Sequence, residues 1–371
     1  MTGSLDRTAV RVGQVTLALG LLFAASHIAR NDMNPTVFIA VGEESGEIRE
    51  YAEALLGEVV LRPELGHDGR FFFVQGNDPW MLEPADNASI LDRPVYRAQR
   101  MAYPVLASLG GILPPTGVVW GMVAVNILAM GVGAFVCGLL AVRFGGSAWW
   151  GLAFPFNIGL ISDFSIGGAG IVATAAAFAA VLLLLEEKVM GASLLFALSC
   201  LAREVMLIAV AGAVIWLLVT RKPRIAARIA IWPVVGVVAW GAYIRVVLPG
   251  GGAVAEGNLG LPFVGFVDNF ENWGSDPFEL LIGLVVVVVL VFYSYRTLRN
   301  PSLTAWTFLP FAVLAFLLAE PVWDGYFNIT RAVAPVLTAY FLITFAPSVE
   351  YQKSLVETAP LNPFRLFQKA K

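Results

Sequence analysis

The sequence predicts an all-α polytopic membrane protein, with about ten transmembrane or half-membrane helices and a large first extracytoplasmic loop. Three observations carry this expectation. Of the 371 residues, 58% are hydrophobic and only 14% are charged, whereas a soluble domain holds about 25% charged residues. Apolar runs that approach the roughly 20 residues of a spanning helix recur along the chain. Lys and Arg are spread unevenly over the connections between those runs, as the positive-inside trend requires. A soluble two-domain enzyme and a disordered chain are thereby excluded. The 24 basic and 27 acidic residues leave a net charge of −3, too even for a nucleic-acid partner. Cys137 and Cys200 both sit in apolar runs, so there is no disulfide framework and no metal-ligand spacing. Two histidines make no histidine-rich metal site. No cofactor is expected, and a divalent metal has no support.

The elements follow in order. The first apolar run, near 12–27, is preceded by Arg7 and Arg11. Ala24-Ala25-Ser26 resembles a signal cleavage site, but the run is expected to be a retained anchor. A long polar stretch covers 30–100. Apolar runs then lie near 116–142, 147–162, 167–185, 190–202, 204–220, 226–248, 278–295, 303–319 and 332–347. With the N-terminus inside, the inner connections hold 14 bases (the last four being Lys353, Arg365, Lys369 and Lys371) against five acids, and the outer ones nine bases against 21 acids. Reading 190–220 as one helix would place Arg221–Arg228 outside, so a hairpin is expected there. Four parts result: 1–29, cytoplasmic tail and first transmembrane helix; 30–115, extracytoplasmic loop with a juxtamembrane helix; 116–347, membrane domain with outer loops near 249–277 and 320–330; and 348–371, cytoplasmic tail. The expected location is the plasma membrane, with both termini cytoplasmic. Gly250-Gly251-Gly252 is a turn without the strand and helix context of a phosphate-binding loop.

The candidate chemistry starts in the first outer loop. Gly66-His67-Asp68-Gly69-Arg70 sets one carboxylate between two glycines, where an Asp held above the bilayer suits a general base towards a hydroxyl. The plainer alternative is an Asp capping a helix that begins at Arg70. His67 alone reads as a hydrogen-bonded loop residue. Further on, Arg93, Arg97 and Arg100 are spaced four and three apart, so a helix after Pro94 brings Arg97 and Arg100 towards one face. They meet either lipid headgroups or a phosphate, which the guanidinium fork suits. Arg203-Glu204 interrupts two apolar runs at a depth where charge is costly and needs a cavity or a partner, Asp163 and Arg331 being structural candidates. Arg331 leads the last run in from the outer side, against the positive-inside trend, and invites an anion.

These residues carry a resemblance. An N-terminal anchor, a long outer loop with an early carboxylate, a surface helix and many spans resemble the GT-C superfamily of integral-membrane glycosyltransferases. More narrowly, Gly66-His67-Asp68-Gly69-Arg70-Phe71-Phe72 is similar to the Asp-Gly-Gln-Phe-Tyr type motif of a group of bacterial, often actinobacterial, membrane proteins. The same group shows a run matched here by Asp92, Pro94, Tyr96, Arg97, Gln99, Arg100, Tyr103 and Pro104. It also shows a membrane Arg-Glu, matched by Arg203-Glu204, and an outer Asn-x-x-Arg, matched by Asn328 and Arg331. Arg70 departs from the group's usual Gln, and Asp68 stands without a second acid.

The resemblance implies transfer of a sugar from a polyprenyl-phosphate donor to an acceptor hydroxyl of a glycan or lipid on the outer face of the membrane. Asp68 would be the catalytic base. His67, Arg70, Tyr96, Arg97, Gln99, Arg100, Arg203, Glu204, Asn328 and Arg331 would bind donor phosphate or substrate. Phe71, Phe72, Trp80 and Trp323 would stack on sugars, with membrane lipid around the spans. The alternatives are a flippase, transporter or binding subunit for a lipid-linked sugar in cell-envelope assembly, or a structural subunit.

Overall fold

The structure, a computed structural model, describes residues 6–113, 115–249, 259–270, 273 and 276–345. Gly250-Gly251-Gly252 and the 348–371 tail, with its four bases, lie outside the described residues. Every regular element among the described residues is helical, with isolated β-bridges such as Val41–Gly66 but no strand.

The chain opens with α1 (Arg7–Ala29), capped by the Asp6 carboxylate, which accepts from the Thr8 and Ala9 N–H groups. The polar stretch that follows is folded rather than extended. It forms α2 (Glu47–Leu56), α3 (Gly69–Asn77), α4 (Pro84–Ile90), α5 (Pro94–Arg97) and α6 (Ala102–Ser108). Its apolar residues Val37, Phe38, Phe72, Phe73 and Tyr103 belong to the same buried core as the long helices.

Next come α7 (Gly117–Arg143), α8 (Ile158–Ser165), α9 (Gly170–Leu185), α10 (Val189–Ala202), α11 (Leu207–Val219) and α12 (Pro223–Val247). The last group is α13 (Val264–Asp268), α14 (Pro277–Arg299), α15 (Leu303–Leu317), α16 (Glu320–Trp323), α17 (Tyr326–Ala332) and α18 (Ala334–Phe345). Among the described residues four helices, α1, α7, α12 and α14, are long and apolar enough to cross a membrane. They have 23 to 27 residues, or about 35–40 Å at 1.5 Å per residue. Helices α17 and α18 meet at 65° and would together make a fifth. Helices α9, α10, α11 and α15 are shorter and apolar.

The apolar runs at 167–185, 190–202, 204–220 and 303–319 each coincide with one of these helices. The run at 147–162 does not. It forms a short 3-10 turn at Ala148–Ala153 and then the eight-residue α8. Pro155 has no N–H to continue a helix, and the Asn157 side chain caps the restart by accepting from Gly159 N.

At 190–220 the chain breaks at Arg203. Helix α10 runs beside α12 in the same direction: Ser193 donates to Ile229 O at 3.0 Å, and Leu201 lies against Gly236. Helix α11 returns to the short turn that starts α12. The expected hairpin is therefore present in direction, with both arms packed on α12.

The bundle has two chemically distinct ends. Arg7, Arg143, the Arg221–Arg228 turn and Arg296 lie at one end of their helices. The opposite ends of α1, α9, α12 and α14 meet the 30–113 stretch, α8 or α17, through His27–Arg62, Gly170–Asp163, Trp240–Ala98 and Glu279–Tyr326.

Candidate functional site

Asp68 sits at the N-cap position of α3, yet its carboxylate caps nothing. It turns instead into a ring of guanidiniums. Arg331 Nη2 donates to Oδ2 at 2.9 Å, Arg97 Nη1 to Oδ1 at 3.3 Å, and Arg100 Nη1 lies 3.7 Å from Oδ2. The flanking glycines make the approach possible. Gly66 has φ +71°, and a Cβ there would lie 2.3 Å from Ala40 O, a conformation and a closeness that only glycine tolerates. A Cβ on Gly69 would lie 2.1 Å from Ile166 O and 2.7 Å from Phe38 O.

Each of the three arginines is also held from behind by an acid of its own. Asp92 accepts from Arg97 Nε and Nη2, both at 2.9 Å. Glu204 accepts from Arg100 Nε and Nη2, both at 2.8 Å. Asp163 accepts from Arg331 Nε at 3.0 Å. Asp163 is 2% exposed and also takes the Gly170 and Ile171 N–H groups at the start of α9, where backbone donors and the helix dipole favour an anion. Arg203 Nη1 donates to Arg331 O at 3.2 Å, which ties the hairpin tip to α17.

The other residues singled out by the sequence divide into two groups. Tyr96 joins the ring, its hydroxyl accepting from Arg100 Nη2 at 2.9 Å. Arg70 donates to Ser45 Oγ at 2.7 Å and lies over the Phe71 ring, as does Arg97, at 4.6 and 3.7 Å from its centre. The His67 ring lies tilted against Phe327, with 4.9 Å between centres. Asn328 stands apart, its amide reaching Pro321 O at 3.4 Å. Gln99 lies in the turn after α5, its N–H on Tyr96 O at 3.4 Å.

A lipid-facing role for Arg97 and Arg100 does not fit: α5 has only four residues, and both side chains point into ion pairs. Phe71, Phe72 and Trp323 are 3%, 2% and 0% exposed, so they are core rather than sugar platforms. Trp80, 50% exposed, remains open. The residues the sequence reading underused are the anchors. Asp92 counted only as a motif match and Asp163 only as a structural partner, although a carboxylate in so apolar a context is itself a signal of a paired or functional site.

Electrostatics follows from this packing. Burial works to raise the Asp68 pKa, but Arg331, Arg100 and Arg97 together outweigh it and hold the carboxyl well below the usual carboxylate range. Burial first, and Arg331 beside it, lower the His67 pKa, so the imidazole is neutral near pH 7. Burial and neighbouring Arg97 also lower the Arg70 pKa. Among the described residues no group of three or more His, Cys, Asp or Glu is placed to hold a metal ion. The chemical capacity of the arrangement is anion binding by several convergent guanidiniums, beside a carboxylate that can accept a proton.

Next to Asp163, Phe164 helps line an open apolar pocket of ≈180 Å³, together with Leu19, Phe23, Met130, Phe156 and Ile161. Compared with protein families, curated proteins and solved structures, the chain matches none.

Proposed function

We propose that this chain is a membrane glycosyltransferase that moves a sugar from a polyprenyl-phosphate donor to an acceptor hydroxyl on the outer face of the membrane. The observation that carries the reading is the convergence of Arg97, Arg100 and Arg331 on Asp68 from widely separated parts of the chain. Donor phosphate is both anion and leaving group. Guanidiniums aimed at it stabilise the charge that grows on it as the glycosidic bond breaks. Asp68 takes the acceptor hydroxyl proton as that oxygen attacks the anomeric carbon. Arg203 orients Arg331 through its carbonyl, and the apolar pocket beside Phe164 suits part of an isoprenoid tail.

The outer location rests on the charge partition. The basic helix ends lie away from Asp68 and would face the cytoplasm. The depth fits a lipid substrate: Tyr103 binds Met122 O and Asn126 of α7, one turn below the half-exposed Trp120, and Trp is enriched at membrane interfaces.

A flippase for the same lipid is the second reading. Transporters place their sites where helices break. Among the breaks in the described residues, those at Arg203 and after α17 both supply arginines to the cluster. Proteoliposomes carrying polyprenyl-phosphate sugars separate the two readings. The Asp68→Ala variant should insert and fold but lose transfer by about 10²-fold or more. Full transfer by that variant would remove the base assignment.

A further inference from the structure

The three ion pairs around Asp68 are not equal to the three behind them. Arg97 grips Asp92 and Arg100 grips Glu204, each through two bonds at 2.8–2.9 Å, but they touch Asp68 through one nitrogen each, at 3.3 and 3.7 Å. Arg331 divides its nitrogens between Asp163, which is 2% exposed, and Asp68, whose side chain is 26% exposed. Fork-to-fork pairing fixes a guanidinium in both position and plane. Arg97 and Arg100 therefore keep their places without Asp68, and Arg331 keeps its Nε bond to the buried Asp163 at 3.0 Å.

We infer that Arg97, Arg100 and Arg331 form a built seat for a tetrahedral phosphate, that Asp68 is its resident occupant, and that a phosphorylated lipid enters by taking the place of Asp68. This rests on the reading that the site handles a lipid-linked phosphate. A carboxylate offers two oxygens to three guanidiniums. The donor phosphodiester offers two free oxygens and the bridging oxygen to the sugar, which becomes the third free oxygen as the glycosidic bond breaks, so each guanidinium meets one, at the reach the fork geometry favours. Exchange is a swap of one anion for another, so the cluster keeps its charge balance and no arginine is left bare in a half-buried site.

The exchange also resolves a chemical difficulty. A carboxylate clamped by three guanidiniums is a weak base. Once phosphate takes the guanidiniums, Asp68 is released beside the bond to be broken, with a higher proton affinity and 26% of its side chain already open. Asp92, Glu204 and Asp163 then act as positioning residues: each works through its arginine and touches no substrate.

The test is equilibrium binding to the full chain in nanodiscs, with polyprenyl phosphate, inorganic phosphate and unphosphorylated polyprenol as probes. A ligand that must displace an internal competitor gains affinity when the competitor is removed. Asp68→Asn should bind polyprenyl phosphate about tenfold tighter than the wild type or more, with polyprenol unchanged. Asp68→Ser should behave the same way if the Asn form does not fold. Asp92→Asn removes a negative charge even closer to Arg97, 2.9 against 3.3 Å, and should not tighten binding.

Equal affinity of the wild type and Asp68→Asn for polyprenyl phosphate overturns the exchange and leaves the phosphate reading standing. Equal tightening by Asp92→Asn and Asp68→Asn also overturns it, since only generic charge would then be at work. Tightening for inorganic phosphate with none for the lipid overturns entry of a lipid headgroup. Absence of binding by folded wild type and variant alike removes both the exchange and the phosphate reading.

Discussion

Asp68 draws its character from neighbours distant in sequence. Its folded pKa lies below the unfolded value of about 3.9. Its ion pairs therefore stabilise the fold above that pH, and the stabilisation is lost as pH falls through the depressed folded value. The unfolding temperature of the wild type should be level from about pH 7 to 5 and fall below about pH 4, with a smaller fall in Asp68→Asn. An equal fall in both would detach the acid sensitivity from Asp68. Gly69→Ala should be strongly destabilising, because the added Cβ meets two carbonyl oxygens inside 3 Å. Backbone cannot yield as a flexible side chain does, so a cost of several kcal/mol, roughly that of the severe core substitutions, is expected in a thermal or denaturant measurement. Wild-type stability in that variant would contradict the close approach. The spacing of Gly66, Asp68 and Gly69 was legible in the sequence as a tight turn presenting a carboxylate. The guanidiniums that turn it away from its helix cap were not, since Arg331 is 263 positions further on.

At the scale of elements, the long apolar helices were readable to within a few residues, because a lipid-facing helix is apolar over an uninterrupted length. The failure at 147–162 has a local cause: Pro155 and the Asn157 cap divide a run whose composition alone would pass for a span. The hairpin at 190–220 was legible through the positive charges after it, and its tip is fastened by Arg100–Glu204. That pair joins the stretch before α6 to the break between α10 and α11. A double-mutant cycle with Arg100→Ala and Glu204→Ala should give a coupling energy of about 1–3 kcal/mol in unfolding. Additive effects would mean that the two elements are held together by other contacts. Weakening Asp163–Arg331 by Asp163→Asn should cost about 1.5–3 kcal/mol, since Arg331 Nε and the Gly170 N–H lose a charged acceptor while Asp68 still pairs Arg331. A loss under 1 kcal/mol would show that pair to be dispensable.

For the whole molecule, the net charge of −3 conceals a separation of basic helix ends from the arginine–carboxylate cluster at the other end of the bundle. Single-cysteine labelling of intact cells and of inverted vesicles should find Trp80→Cys reactive from outside and Lys222→Cys reactive from inside. The opposite pattern would invert the bundle and move the site to the cytoplasmic face. The 30–113 stretch looked in the sequence like a loop apart from the membrane domain, because its polar composition masks the few apolar residues that share the common core. The fate of the donor lipid separates sugar transfer from lipid transport. Proteoliposomes loaded with a panel of polyprenyl-phosphate hexoses and pentoses and with envelope lipid acceptors measure this directly, by following polyprenyl phosphate. Release of polyprenyl phosphate matched by glycosylated acceptor is expected, and its abolition in Arg331→Ala. Movement of intact donor between leaflets with no polyprenyl phosphate released would contradict sugar transfer.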